Sequence, residues 1–294
     1  MKYIVILFLS FSVFAKSNVV TTLPELKWVV DEITSSTVKS TSLLSGNEDA
    51  HFVDATPSFV LKVSKADLVV ANGLQLEIGW LPKVIEMSGN GKIQFQFMGY
   101  CDASAYVDKV QIIKNFDRSM GDIHPLGNPH FTLSINQMKN VAKKVTECLK
   151  KLEPKNISLF NSNYKKLVSK LDNHLKKLKE KLSPLKGVSF MTYHREFIYF
   201  FQDLDIKTAG TIEKVPGILP SASHLYNISK VAKAKKVKLV LASITNPKKY
   251  LEKFKEMTKI PFVQLPLHMN SEFKDYLEFQ EFIGAEILRN VKSK

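Results

Sequence analysis

The stretch "NISLFNSNYKKLVSKLDNHLKKLKEKLSPLKG", Asn156 to Gly187, decides the architecture. Ile157, Phe160, Tyr164, Leu167, Leu171, Leu175, Leu178 and Leu182 step by three or four, the spacing of one helix face. Neither Gly nor Pro interrupts the pattern before Pro184. At 1.5 Å per residue the helix would be about 40 Å long, enough to run along a whole two-lobed molecule. A helical hairpin arm is the alternative, and the flanking sequence weighs against it because strand–helix alternation resumes on the far side.

Before the long helix, "SNVVTTL", "STSLLSG", "ADLVVANG" and "KIQFQFMGY" read as strands. Between them "LPELKWVVDEITS", "TPSFVLKVSKA" and "QLEIGWLPKVIEMSG" carry helical spacing, with Thr56 as N-cap and Pro57 in the first turn of the second. "SINQMKNVAKKVTECLKKLEP" is a further amphipathic helix ended by Pro154. After the long helix come strands "GVSFMTYH", "IKTAGTI", "VKLVLASI" and "IPFVQLPLH", and helices "REFIYFFQDLD", "PSASHLYNISKVAKAKK" and "SEFKDYLEFQEFIGAEILRNVKS". The fold class is α/β, two lobes each with a mostly parallel sheet flanked by helices, joined by one long backbone helix. The divisions are residues 1–15, 16–153 for the N-terminal lobe, 154–185 for the connecting helix and 186–294 for the C-terminal lobe. Some 280 residues outside the leader also exceed the usual size of one core.

Residues 1–15 read as a secretory signal. Lys2 precedes an apolar run, and Val13 and Ala15 are small residues at the positions a signal peptidase reads. About a dozen apolar residues are too few to span a ~30 Å hydrocarbon core. No cysteine stands at the cleavage point and no later stretch is apolar enough for a membrane helix. The expected mature protein is exported, periplasmic, monomeric and not inserted in a membrane. Such a compartment permits a disulfide between Cys101 and Cys148, and the absence of CxxC argues against a cysteine metal cluster. The net charge of +14 is spread as lysines along helix faces, which reads as solvated surface and not as a nucleic-acid site.

Chemistry concentrates in the histidines, of which there are only seven. In open α/β sheets ligands bind beyond the carboxyl ends of the strands. His51 and His194 each follow a predicted strand, and His130 closes the turn-rich loop "GDIHPLGNPHF". Neutral imidazole suits borderline divalent metals, and a Pro/Gly frame limits the freedom lost on ordering a ligand loop. His124 shares that frame and competes with His130, or braces the turn against Asp122. His174, among lysines, reads as solvated, and His224 as structural.

The stretches "GNEDAHFVDATPSFVLKVSKADLVVANGLQLEIGWLPKVI", "GDIHPLGNPHF", "FMTYHREFIYFFQDLDIKTAGTI" and "PGILPSASHLYNISKVAKAKKVKLVLA" run in one order along nearly the whole mature chain. In that order they resemble the solute-binding proteins of ABC importers for zinc and manganese, the ZnuA/TroA-like family. The resemblance implies two α/β lobes joined by a long helix, metal in the cleft, and His51, His130 and His194 as ligands. It also implies a carboxylate ligand shortly before a C-terminal tyrosine. Asp275 beside Tyr276 is the expected residue, although the usual offset is slightly larger and Lys274 occupies the place it would fill. Glu272 and His268 are the rivals. "TLSI" and Leu219 depart from an acidic-proline pair and a glutamate common in the family, and the histidine-rich loop of some zinc binders is missing.

The implied function is capture of a divalent metal, zinc with manganese as the alternative, for delivery to the ABC permease of a metal importer. Three imidazoles and one carboxylate suit tetrahedral Zn²⁺. Asp54 and Asp122 are candidates to hold ring tautomers. The braced lobes point to release by local loop movement. A secreted zinc hydrolase would need a general base and an open coordination position; HExxH is absent, and the chain reads as no enzyme. A metal-binding adhesin of the same fold remains the other alternative.

Overall fold

The computed structural model describes residues 16–114 and 123–292. The expected signal segment, Gly121 and Asp122 lie outside the described residues. No described helix is long and apolar enough to cross a membrane.

The first lobe holds β1 (Asn18–Thr21), β2 (Lys39–Ser42), β3 (Leu68–Ala71) and β4 (Tyr100–Asp102), all parallel, in the order β2-β1-β3-β4. The second repeats the arrangement with β5 (Phe190–Thr192), β6 (Thr208–Thr211), β7 (Leu239–Ser243) and β8 (Phe262–Leu265), in the order β6-β5-β7-β8. Central strands β3 and β7 are continuous apolar runs because both faces are covered, as parallel sheets require. In this order the chain reverses direction across the sheet between β1 and β3, and between β5 and β7. The loops leaving those strands form the crevice where such folds bind ligands.

The helices are α1 (Pro24–Thr34), α2 (Pro57–Ser64), α3 (Leu81–Ser88), α4 (Ile135–Leu152), α5 (Ile157–Lys181), α6 (Ile198–Asp203), α7 (Ala222–Ala234), α8 (Lys248–Thr258) and α9 (Tyr276–Lys292). The 25 residues of α5 make a rod of about 37 Å. Phe160, Leu167, Leu171, Leu175 and Leu178 bury its inner face against α1, α4 and α9. One apolar cluster runs from Val19 and Val69 of the first sheet through α4, α5 and α9 to Phe190 and Leu239 of the second. A core shared in this way resists wide separation of the lobes. The terminal helix α9 strengthens the tie. The Tyr276 hydroxyl donates to the Thr132 carbonyl at 2.7 Å, and the Tyr276 ring packs on Trp28, 5.2 Å between centroids.

Four local expectations are corrected. The run "KIQFQFMGY" is not one strand. It forms a short 3-10 turn at Gly91–Ile93 and becomes strand only at Tyr100, while Phe95, Phe97 and Met98 stay exposed. Gly99 sets the start of pairing: a Cβ there would lie 2.4 Å from the Lys92 carbonyl oxygen. The helix expected over "QLEIGWLPKVIEMSG" shrinks to α3, since Pro82 lacks an N–H and is tolerated only in a first turn. Helix α8, unread in the sequence, buries Leu251 and Phe254 and exposes its lysines. His174 is buried, not solvated, with Nδ1 3.8 Å from Glu281 Oε1 where α5 meets α9.

Thr56 caps α2 as expected, accepting from the Phe59 N–H. Cys101 of β4 and Cys148 of α4 form a disulfide, 47 residues apart. In the chain-entropy view, closing a loop of that length removes about 4 kcal/mol of unfolded-state freedom.

Candidate metal centre

Each expected histidine is delivered by a loop at the carboxyl edge of a sheet. His51 lies in the loop after β2. Glu48 gathers the N–H groups of Ser45, Gly46 and Asn47 on its carboxylate, and Trp80 Nε1 donates to the Ala50 carbonyl at 2.9 Å. Asp49 Oδ1 accepts from the His51 backbone N–H at 3.0 Å and faces ring Nδ1 at 2.9 Å. A carboxylate only accepts, so Nδ1 carries the proton and Nε2 presents its lone pair.

His194 stands two residues beyond β5. Its Nδ1 is 2.7 Å from Glu213 Oε2, and the Glu213 N–H donates to the Tyr193 carbonyl, which holds the two side by side. His130 is placed by two asparagines. Asn128 Oδ1 accepts its backbone N–H at 2.9 Å, and Asn72, leaving β3, donates to the Pro129 carbonyl at 3.0 Å. His130 is buried with Nε2 unpartnered.

The three rings converge. Centroid separations are 5.2 Å for His51–His130, 5.7 Å for His130–His194 and 6.4 Å for His51–His194. Two imidazoles sharing a tetrahedral ion at Zn–N ~2.0–2.1 Å stand about 5 Å apart between centroids. Among the described residues no group of three or more His, Cys, Asp and Glu is already set to hold an ion. For the three rings to share one ion the wider pairs, 5.7 and 6.4 Å, would have to close slightly. His124 also enters the cleft, its Nε2 3.1 Å from His51 Nε2.

Burial, and then the charges of His51 and His194, lower the His124 pKa to about 3. The same causes hold His130 well below the usual histidine range, so both rings are neutral at neutral pH. Burial also opposes charge on His194, but the hydrogen bond to Glu213 and the negative charge of Glu196 outweigh it and raise its pKa. Burial raises the Glu196 carboxyl. His268 is buried against Glu25, Nδ1 to Oε1 2.7 Å, and lines the cleft wall with His51 and His130. Burial lowers its pKa, yet the Glu25 charge and hydrogen bond win and raise it.

Asp275 is not among the residues lining the cleft. Its Oδ1 accepts the Leu277 and Glu278 N–H groups at 2.9 and 3.0 Å, capping α9. A helix N-terminus offers free N–H groups and a favourable dipole, which accounts for the carboxylate there. Glu272 is exposed. The carboxylates that do line the cleft are Asp49, Glu196 and Glu213, with Glu48 at the wall shared with His268. The ring of His51 is held by Asp49 and not by the exposed Asp54; the signal was adjacency, since a carboxylate two residues before a histidine reaches its Nδ1 through a tight turn. His224 is structural as read, its Nε2 2.9 Å from the Ile212 carbonyl.

Two parallel α/β lobes braced by one helix, with an imidazole-lined cleft between them, define the helix-braced class of solute-binding protein. The family model described as "Zinc-uptake complex component A periplasmic", ZnuA, matches residues 19–288, and the chain belongs to this family. It is 27% identical over 200 residues to the metal ABC transporter substrate-binding lipoprotein ScbA of Streptococcus cristatus, 66% of this chain and 61% of that protein. It is 26% identical over 199 residues to the manganese ABC transporter substrate-binding lipoprotein PsaA of Streptococcus mitis, again 66% and 61%. The zinc-binding lipoprotein AdcA of Streptococcus pneumoniae is 23% identical over 222 residues, 76% of this chain and 44% of AdcA. The match thus spans about three fifths, or less, of these curated relatives. A crystal structure of ZnuA superposes with TM-score 0.78 at 21% identity, covering 94% of this chain and all of that one. A manganese-bound periplasmic metal-binding protein from Candidatus Liberibacter asiaticus gives 0.76 at 18%, with 94% and 100% covered. At these identities the structures speak to fold.

Proposed function

We propose that this protein captures a divalent cation outside the cytoplasm and delivers it to the permease of an ABC importer. The observation that carries the reading is the convergence of His51, His130 and His194 from three loops of two lobes. Asp49 and Glu213 fix two of those rings so that Nε2 faces the cleft. A carboxylate behind each imidazole sets its tautomer and raises its basicity as a ligand.

Zinc is favoured over manganese because imidazole nitrogens dominate the donors facing the ion, while Asp49 and Glu213 are engaged on ring N–H groups and Glu196 on the His194 backbone N–H. Manganese prefers more oxygen ligands. His51, His130 and His194 form the ligand set, with Asp275 committed elsewhere at the start of α9. The role is binding and release, not catalysis: Asp49 and Glu213 are taken up in orienting imidazoles, and Glu196 accepts the His194 backbone N–H.

Native mass spectrometry with metal analysis on untagged protein tests the reading. One zinc ion per chain is expected, lost in His51→Ala and in His130→Ala. Wild-type protein that retains no divalent metal, or variants that bind it undiminished, would overturn it.

A further inference from the structure

We propose that His124 is a fourth imidazole ligand, so that the cleft offers the ion an all-nitrogen set and discriminates against manganese. The inference rests on the cation-binding reading above and adds a residue and a selectivity to it.

Three observations point the same way. His124 reaches across from a different loop to put Nε2 3.1 Å from Nε2 of His51, with ring centroids 5.0 Å apart. Its side chain is buried, 9% exposed, and Nδ1 has no partner. The loop that carries it is anchored on both sides. The Ile113 N–H donates to the Pro125 carbonyl at 3.1 Å, and the Asn128 N–H to the Val110 carbonyl at 2.9 Å. The Asn128 side chain crosses to the second lobe and donates to the Arg195 carbonyl at 2.8 Å.

The ring–ring contact is informative about the ion. Asp49 already accepts the hydrogen bond from His51 Nδ1, so His51 Nε2 is the acceptor and His124 Nε2 the donor in the contact between the two rings. For His51 to ligate, that hydrogen bond must break, which would leave His124 buried with both nitrogens unsatisfied. Ligation by both rings satisfies Nε2 and leaves only Nδ1 without a partner, as it is before binding. The Nε2 proton of His124 leaves to solvent and Nδ1 takes one up, so the ring stays neutral and the proton count is unchanged. Two nitrogens 3.1 Å apart, each ~2.0–2.1 Å from zinc, subtend about 100° at the metal, close to tetrahedral. The ion then meets nitrogens from His51, His124, His130 and His194, a set suited to zinc and poor for manganese.

The test is titration calorimetry with Zn²⁺ and with Mn²⁺ on wild type, His124→Ala and His124→Asp, together with Co²⁺ absorption spectra. The proposal expects both variants to lose roughly tenfold or more in zinc affinity and to change the Co²⁺ d–d bands. It also expects His124→Asp to narrow the zinc-to-manganese ratio. Unchanged zinc affinity and Co²⁺ spectra in both variants, with His51→Ala binding abolished, would overturn the role of His124 and leave the cation site standing. Unchanged binding in His51→Ala as well would overturn both.

Discussion

Gly46→Ala offers a direct measure of how tightly the first-lobe loop that carries His51 is keyed to the second lobe. Gly46 has φ +93°, and a Cβ built there lies 2.1 Å from the Met269 carbonyl oxygen and 3.2 Å from Asn270 Cα. Both obstacles are backbone, which cannot swing aside. Beside them Asn270 Nδ2 donates to Asn47 Oδ1 at 2.8 Å, so the loop after β2 is clamped to the segment after β8. An L-residue in the left-handed region costs about 1–2 kcal/mol. Forcing an extra methyl into a packed site adds about 1–3 kcal/mol. The expected loss is therefore roughly 2–5 kcal/mol. Gly89→Ala is the control: φ is +61° there, and nothing lies within 4 Å of the built Cβ, so only the backbone cost applies. In scanning calorimetry of metal-free protein, Gly46→Ala should melt roughly 2–12 °C below Gly89→Ala, at about 2–4 °C per kcal/mol. Zinc affinity should fall further in Gly46→Ala, because the clash displaces the loop that carries His51. Equal melting temperatures for the two variants would refute the argument that backbone contact, and not glycine's freedom alone, sets the loop.

Two further outcomes follow from the same geometry. Glu213→Gln keeps the shape of the side chain but removes the charge that pins His194 Nδ1 at 2.7 Å, so zinc should bind about 10–100-fold more weakly in a chelator competition; an unchanged constant would show that the pin does not matter. His174 bears on stability and not on metal. Burial lowers its pKa, with the charges of Glu281 and Asp275 opposing more weakly and those of Lys177 and Lys181 adding to the lowering. Below about pH 6.5 the unfolded chain takes up a proton that the folded chain resists, so stability falls as pH drops through that window. His124 and His130 add to the same slope, so His174→Leu should reduce, not abolish, the dependence of the melting temperature on pH below about pH 6.5, and an unaltered slope would rule out a contribution from His174.

Much of this protein is legible residue by residue. Strand–helix alternation, the three-and-four spacing from Ile157 to Leu182 and the Thr56 cap are local signals, carried by residues a few positions apart, and the α/β class and long helix follow from them. That His51, His130 and His194 approach one kind of sheet edge is legible as well, since a position just beyond a strand, or at the end of a turn-rich loop, is a property of short segments. The run from Lys92 to Tyr100 misleads because alternating apolar residues signal a strand only where a partner covers them, and here Phe97 and Met98 face solvent.

What only the tertiary structure decided are pairings across long separations. Glu25 meets His268 over 243 positions, His124 meets His51 over 73, Cys101 meets Cys148, and His174 is buried by a helix more than a hundred residues away. Whether a carboxylate caps a helix, as Asp275 does, or pins a ring, as Glu213 does, depends on which backbone N–H or imidazole the closed lobes place beside it. The side chain's chemistry is the same in both cases. A sequence specifies which groups can bind a cation, but folding alone brings them into one cleft, because their separation depends on how two separately formed sheets dock through a shared core.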